Sequence, residues 1–139
     1  MPVRRVPGAL VGAVAVLVLL AGCRAENPAL APAEEALAAT ETAILAVEQE
    51  ADGKTLGTVT ETTLGDMLAA VSDSEASVAE IPRNAGSRGA LDAVRAAGDA
   101  IGEALTDVQN GTSTTDATTA LEAARAALQS TVSSLRAGS

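Results

Sequence analysis

No phenylalanine, tyrosine, tryptophan or histidine occurs anywhere in this chain of 139 residues. A hydrophobic core must therefore be built from aliphatic side chains, and only 22 leucine, isoleucine, valine and methionine residues occur from Leu30 onward. Alanine must fill many core positions; it lets helices approach closely but buries little apolar area. We therefore expect modest stability, or stability that depends on self-association or on a partner.

The same composition argues against several classes of function. Aromatic rings supply the stacking platforms for nucleic-acid bases and the cages that hold cations. Histidine is the most common general base and transition-metal ligand. With Lys54 as the one lysine, no serine–histidine or serine–lysine arrangement can be proposed either. We predict that the protein is not an enzyme and binds no cofactor or metal.

The start of the chain has the pattern of a targeting segment. Arg4 and Arg5 precede an apolar stretch from Ala9 to Ala21. This stretch is shorter than the roughly 20 residues that a membrane-spanning helix needs. A short positive region followed by such a stretch is typical of a signal peptide.

The residues that follow, Leu20-Ala21-Gly22-Cys23, resemble the lipobox of bacterial lipoproteins, in which leucine and two small residues precede an obligatory cysteine. The resemblance covers about the first 23 residues and matches all four lipobox positions. It implies cleavage before Cys23, a diacylglyceryl group on its sulfur, and often a further acyl chain, such as palmitate, on its amino group. Two or more acyl chains hold a protein stably on a membrane.

We therefore predict a signal peptide over residues 1–22, lipidation of Cys23, and a location on the extracytoplasmic face of a bacterial membrane. The alternative is an ordinary signal peptide, or an uncleaved anchor, with a chance cysteine. Cys23 is the only cysteine, so no disulfide can form within the chain.

The predicted mature chain is strongly acidic. Two of the nine basic residues, Arg4 and Arg5, precede Cys23, which leaves seven against eighteen acids and a formal charge of −11. Because like charges oppose the encounter at long range, nucleic acid and bare anionic lipid are not expected partners. A cationic partner is compatible with this charge.

Residues 23–31 contain Pro28 and lack helical periodicity, so we interpret them as a lipidated tether. Residues 32–139 contain four stretches in which apolar residues repeat at helical spacing, with no strand-like alternation. The residues expected to face the core are Leu37, Thr40, Ile44, Val47 and Ala51; Leu64, Met67, Leu68, Val71, Val78 and Ile81; Leu91, Val94, Gly98, Ile101, Leu105 and Val108; and Leu121, Ala124, Leu128, Val132 and Leu135.

Capping residues and helix-breaking residues mark the ends of these stretches. The expected starts are Pro32, with Glu34 and Glu35 stabilising the positive helix end; a capping box of Thr58 and Glu61; Ser87; and the segment 112–116. The expected ends are Asp52-Gly53, Pro82, Asn110-Gly111 and Gly138. The connections between the predicted helices are about five to seven residues long, and connections of this length favour antiparallel packing of neighbouring helices. The sequence therefore predicts an all-α, alanine-rich, up-down-up-down four-helix bundle.

Acidic residues alternate near the end of the first predicted helix. Glu48, Glu50 and Asp52 precede Gly53, as oxygen ligands precede a tight turn in calcium loops. The pattern then departs from that loop, because Val59 stands where a bidentate glutamate is needed. A solvated helix end with a glycine cap is the favoured interpretation, and cation binding is the alternative.

Two arginines lie just before the third predicted helix. Arg83 and Arg88, together with backbone amides at a helix start, could hold an anion such as phosphate. No phosphate-loop spacing accompanies them, so a plain surface turn is favoured over an anion site.

The leading functional hypothesis is a non-enzymatic lipoprotein of the bacterial envelope that acts as a structural or protein-interaction module. We expect it to contact the membrane through lipid on Cys23 and to engage an envelope protein or a second copy of itself. The alternative is a carrier that holds a small apolar ligand between the helices.

Overall fold

A computed structural model describes residues 27–138, which form four helices and contain no strand. The helices are α1 (Leu30–Ala51), α2 (Gly57–Ala79), α3 (Ala85–Asn110) and α4 (Thr115–Ala137). Each helix packs against its neighbour in sequence, and α4 also packs against α1. The predicted all-α four-helix bundle is thus confirmed. The predicted signal peptide, Cys23 and residues 24–26 lie outside the described residues.

Aliphatic side chains fill the core in two adjoining clusters. The larger one contains the fully buried Leu64, Ile101, Leu121 and Leu128. The smaller one lies where α1 begins and α4 ends, and it includes Leu30, Val78, Leu91, Val132 and Leu135. All five residues predicted to face the core from the last helix are buried. Among the other predicted core residues, Leu37, Met67, Leu68, Ile81 and Leu105 are partly buried.

The prediction was wrong for Ala51, which is exposed. It is the last residue of α1, and it lines two surface depressions that lie among the connections between helices. Helical spacing therefore places Ala51 on the correct face of α1, but the neighbouring helices do not cover this last turn.

Alanine determines which helices approach across the bundle. Within the described residues α1 and α3 are in contact across the diagonal, whereas α2 and α4 are not. Both helices of the close pair bury small side chains, which permit a short distance between backbones. These residues are Ala36, Ala39 and Ala43 of α1 and Ala93, Ala97, Ala100 and Ala104 of α3.

Helix α1 begins at Leu30, two residues before the predicted start at Pro32. Asn27 accounts for the earlier start, because its side-chain Oδ1 accepts from the Ala29 N–H at 3.0 Å and its carbonyl accepts from the Leu30 N–H at 2.9 Å. Ala29 and Leu30 are buried, so these two residues belong to the bundle and not to the predicted tether.

The earlier start also changes the role of the predicted first-turn acids. Glu34 and Glu35 lie beyond the first turn of α1, which contains no acidic residue. Their predicted stabilisation of the positive helix end was therefore wrong, because that effect is confined to the first turn. Glu34 instead forms an ion pair with Arg136 of α4.

The predicted capping box of Thr58 and Glu61 was wrong. Helix α2 begins at Gly57, so Thr58 is already helical, and its carbonyl accepts from the Thr62 Oγ1 at 2.9 Å. The residue at the cap position is Leu56, whose side chain carries no hydrogen-bonding group. The helix ends at Ala79, three residues before the predicted stop at Pro82.

The prediction of Ser87 as the N-cap of α3 was wrong, because the cap lies three residues earlier. Asn84 is the cap, and its Oδ1 accepts from the Ser87 N–H at 2.9 Å while the Ser87 Oγ accepts from the Asn84 N–H at 2.9 Å. The predicted end at Asn110-Gly111 is confirmed, because Gly111 follows α3 in the left-handed conformation with φ of 65°. Helix α4 begins at Thr115, inside the predicted segment, and ends before Gly138 as predicted.

Candidate functional site

The bundle has two ends that differ in character. We call the end where α1 begins and α4 finishes the proximal end, because the chain enters the bundle there from residue 27. The opposite end, where α1 finishes and α2 and α4 begin, is the distal end. The 22 residues of α1 separate the two ends by about 33 Å at 1.5 Å per residue.

Three large apolar side chains are exposed in the part of the chain that the structure describes, and they lie together at the distal end. Leu45 of α1 is 53% exposed, Leu56 just before α2 is 74% exposed, and Val59 in the first turn of α2 is 50% exposed. We call these three residues the apolar patch. Large apolar residues are so few in this chain that alanine fills much of the core, yet three of these large residues are exposed to solvent here.

A shallow groove between α1 and α2 runs through this patch. Its volume is about 100 Å³, and Leu45 and Val59 form part of its walls. The remaining lining residues are Thr42, Ala46, Gln49, Thr55, Thr60 and Thr63. Small-molecule pockets usually have volumes of roughly 300 Å³ or more. The groove therefore has the size to accept part of a side chain and is too small for a whole organic ligand.

Thr55 adds an unsatisfied polar group to this groove. Its Oγ1 is buried and has no hydrogen-bond partner among the described residues. Leaving a buried hydroxyl unpaired costs about 1–3 kcal/mol.

The distal end is acidic. Glu41 stands four residues before Leu45 and Glu48 three residues after it, and these spacings place both beside Leu45 on the surface of α1. Asp52 follows α1, and its Oδ2 lies 4.0 Å from the Nζ of the exposed Lys54. Residues 48–61 and 103–119 together carry seven acids and Lys54 as the only base. The acids are Glu48, Glu50, Asp52, Glu61, Glu103, Asp107 and Asp116.

The arginines are arranged differently along the bundle. Arg83, Arg88 and Arg136 lie at the proximal end. Nearer the middle, the Arg95 Nε donates to the Glu75 Oε1 at 2.8 Å and so links α3 to α2. The negative charge of the described bundle is therefore concentrated at the end that carries the apolar patch.

The three acids considered as cation ligands do not converge. Glu48 and Asp52 are exposed, and Glu50 directs its Oε1 toward Gly57 at the start of α2. In residues 27–138 no group of three or more histidine, cysteine, aspartate or glutamate residues is placed to hold a metal ion. Gly53 has a φ of 70° and forms the turn after α1, as expected for a glycine-capped helix end.

The arginines considered as anion ligands flank an amide that already has a partner. The Ser87 N–H donates to Asn84, and the Arg88 Nε donates to the Asn84 carbonyl at 3.4 Å. Arg83 and Arg88 are both exposed. The structure therefore gives this turn the geometry of a self-capped helix start.

A larger depression of about 490 Å³ opens at the distal end between α1 and α4. Val47 and Ala51 are the apolar parts of its wall, and the remainder consists of Glu48, Asp52 and four threonines of the α4 start. An apolar ligand seated there would contact carboxylates and hydroxyls. This depression therefore lacks the aliphatic walls that the carrier hypothesis predicts.

Comparison with known proteins gives no family model, curated protein or solved structure that matches the chain. Within residues 27–138, none of the helices combines the length and apolar character that crossing a membrane requires. The candidate site therefore rests on the geometry described above.

The apolar patch was missed by the sequence analysis. Leu45, Leu56 and Val59 are absent from every set of residues that helical spacing assigns to the core. Large apolar residues that no predicted core face uses are the signal that could have revealed the patch. Their proximity to one another depends on how α1 packs against α2, and the sequence pattern does not contain that information.

Proposed function

We propose that the protein is a bacterial lipoprotein, held by lipid on Cys23 at the extracytoplasmic face of a membrane, and that its bundle is a non-enzymatic protein-interaction module. The anchoring rests on Leu20-Ala21-Gly22-Cys23, together with the positive and apolar segments before it. The interaction role rests on one observation, the apolar patch at the distal end.

The arrangement of the two features along the chain supports the proposal. Four residue steps join Cys23 to Asn27, which span at most about 14 Å when fully extended. A lipid on Cys23 would therefore keep the proximal end close to the bilayer. The apolar patch, near the far end of a helix about 33 Å long, would then face away from the membrane, where an envelope protein could reach it.

The charge distribution agrees with this orientation. A strongly acidic distal end at the membrane surface would be repelled by anionic lipid headgroups, whereas the proximal end carries arginines. Anchoring at the proximal end holds the acidic residues away from the headgroups.

Metabolic labelling tests the anchoring. Bacterial cells that express the full chain would be grown with labelled palmitate, and the protein would be isolated and its label measured. We expect label on the wild-type protein and none on a Cys23→Ser variant, which should also remain uncleaved. Absence of label on the wild-type chain, or equal label on both, would contradict the proposal.

A further inference from the structure

We propose that the apolar patch binds an amphipathic polypeptide segment whose apolar side chains are flanked by lysine or arginine. This inference rests on the proposed function and specifies the chemistry of the partner. Leu45, Leu56 and Val59 supply the apolar contact, and the acids of the distal end supply the charge that selects the partner.

The apolar part of the argument comes from the groove between α1 and α2. Leu45 of α1 and Val59 of α2 both line a depression of about 100 Å³, which has room for part of one partner side chain. Leu56 lies one turn before Val59, since the Val59 N–H donates to the Leu56 carbonyl at 3.0 Å. The patch thus extends beyond the start of α2 and could contact a second apolar residue of an extended or helical segment.

The charge part of the argument comes from the end of α1. Helix C-termini are negative and are stabilised by cations, yet the last turn of α1 contains Glu48 and Glu50 and no basic residue. Asp52 adds a third carboxylate, and Lys54 is the only nearby base. A basic flank on the partner would relieve this repulsion on binding. The distal end therefore carries a negative potential that favours a cationic partner.

A second copy of the chain does not fit this chemistry. Two distal ends brought together would each present the same excess of carboxylates, and like charges facing each other suppress association. The residues before the bundle do not fit either. Cys23 to Pro28 spans at most about 18 Å, whereas Leu45 lies about 24 Å along α1 from Ala29. A separate polypeptide is the occupant that satisfies both the apolar and the acidic features.

Two matched peptides test the proposal on the full chain, purified from membranes in a non-ionic detergent. Both are 18-residue amphipathic helices with the same leucine face; one carries lysines on the polar face and the other carries glutamates. Binding is measured by fluorescence anisotropy of the labelled peptide. We expect the lysine peptide to bind with a micromolar Kd and the glutamate peptide to bind at least tenfold more weakly.

Variants of the patch identify where the peptide binds. The triple variant Leu45→Gln, Leu56→Gln and Val59→Gln keeps the net charge unchanged. We expect it to bind the lysine peptide at least tenfold more weakly than the wild-type protein does. The matched control is Ala123→Gln, Ala126→Gln and Ala127→Gln on the exposed face of α4, which should leave the Kd unchanged. Leu56→Gln alone, at the most exposed position, should weaken binding severalfold without affecting the unfolding midpoint.

Variants of the acids test the charge requirement. A double variant, Glu41→Gln with Glu48→Gln, should bind the lysine peptide severalfold more weakly, and the Kd of that peptide should depend less on salt. Four results would overturn the proposal: equal binding of both peptides, no binding of the lysine peptide, binding retained by the triple patch variant, or a patch-dependent dimer in sedimentation. If the wild-type protein purified from cells carried no lipid and still bound the lysine peptide through the patch, the proposed anchoring would be contradicted and this binding site would not.

Discussion

Arg136 in the last turn of α4 donates from Nη2 to the Oε1 of Glu34 in α1 at 2.7 Å, and its Nε donates to the same oxygen at 3.2 Å. The two residues are 102 positions apart in the chain. Their contact joins the end of the last helix to the start of the first, as the antiparallel topology requires. This ion pair adds to the apolar cluster that already joins the helices at the proximal end.

Removing this ion pair should have a small effect on stability. Both side chains are well exposed, at 63% for Arg136 and 41% for Glu34, and water screens exposed pairs. We expect Glu34→Gln to lower the free energy of unfolding by less than about 1 kcal/mol, measured by urea denaturation. The difference from wild type should shrink at high salt. A loss of several kcal/mol that persists at 1 M salt would contradict this assignment.

The capping box at the start of α3 should contribute more than the ion pair. Asn84 and Ser87 satisfy each other's backbone N–H groups, and Ser87 is buried. We expect Asn84→Ala to lower the free energy of unfolding by about 1 kcal/mol, the usual cost of losing an N-cap. Thr58→Ala is the comparison, because Thr58 is not a cap; it should cost much less. Equal costs at the two positions would contradict the assignment of the cap.

Two glycines should respond to alanine in opposite directions. A Cβ added to Gly98 in α3 would meet the Val71 Cγ1 at 3.6 Å, an ordinary contact, so Gly98→Ala should stabilise the protein by about 0.5–1 kcal/mol. Gly111 has a φ of 65°, and Gly111→Ala should destabilise it by about 1–2 kcal/mol. Thermal unfolding followed by circular dichroism measures both, and a change of the same sign would contradict the geometry.

The scarcity of large side chains should make each buried leucine costly to remove. Leu121 of α4 is fully buried in the larger cluster, and we expect Leu121→Ala to lower the free energy of unfolding by about 2–5 kcal/mol. Leu45→Ala, at an exposed position, should change it by less than about 0.5 kcal/mol. Chemical denaturation distinguishes the two, and similar losses would show that the assignment of core and surface is wrong.

The bundle itself could be predicted because helical spacing is a strong signal in this chain. All five residues expected to face the core from α4 are buried, and glycines mark the helix ends as expected. Helix starts were harder to predict. Asn84 and Ser87 are both suitable capping residues and lie three positions apart, and the reciprocal hydrogen bonds between them place Asn84 at the cap and Ser87 within the first turn.

The candidate site could not be predicted for a different physical reason. Its three apolar residues lie outside the core-facing positions, so the signal that found the helices does not include them. Leu45 and Val59 line the same groove only because α1 and α2 pack side by side. Contacts between helices of this kind are set by tertiary structure.

The most direct test of a lipid-anchored docking module is photo-crosslinking in intact cells. A photoreactive amino acid would replace Leu56 in the apolar patch or, as a control, Ala123 on the exposed face of α4. We expect one adduct of defined mass from position 56, none from position 123, and loss of the adduct from position 56 when Cys23→Ser is introduced. The same adduct from both positions, no adduct from position 56, or an adduct unaffected by Cys23→Ser would contradict the account.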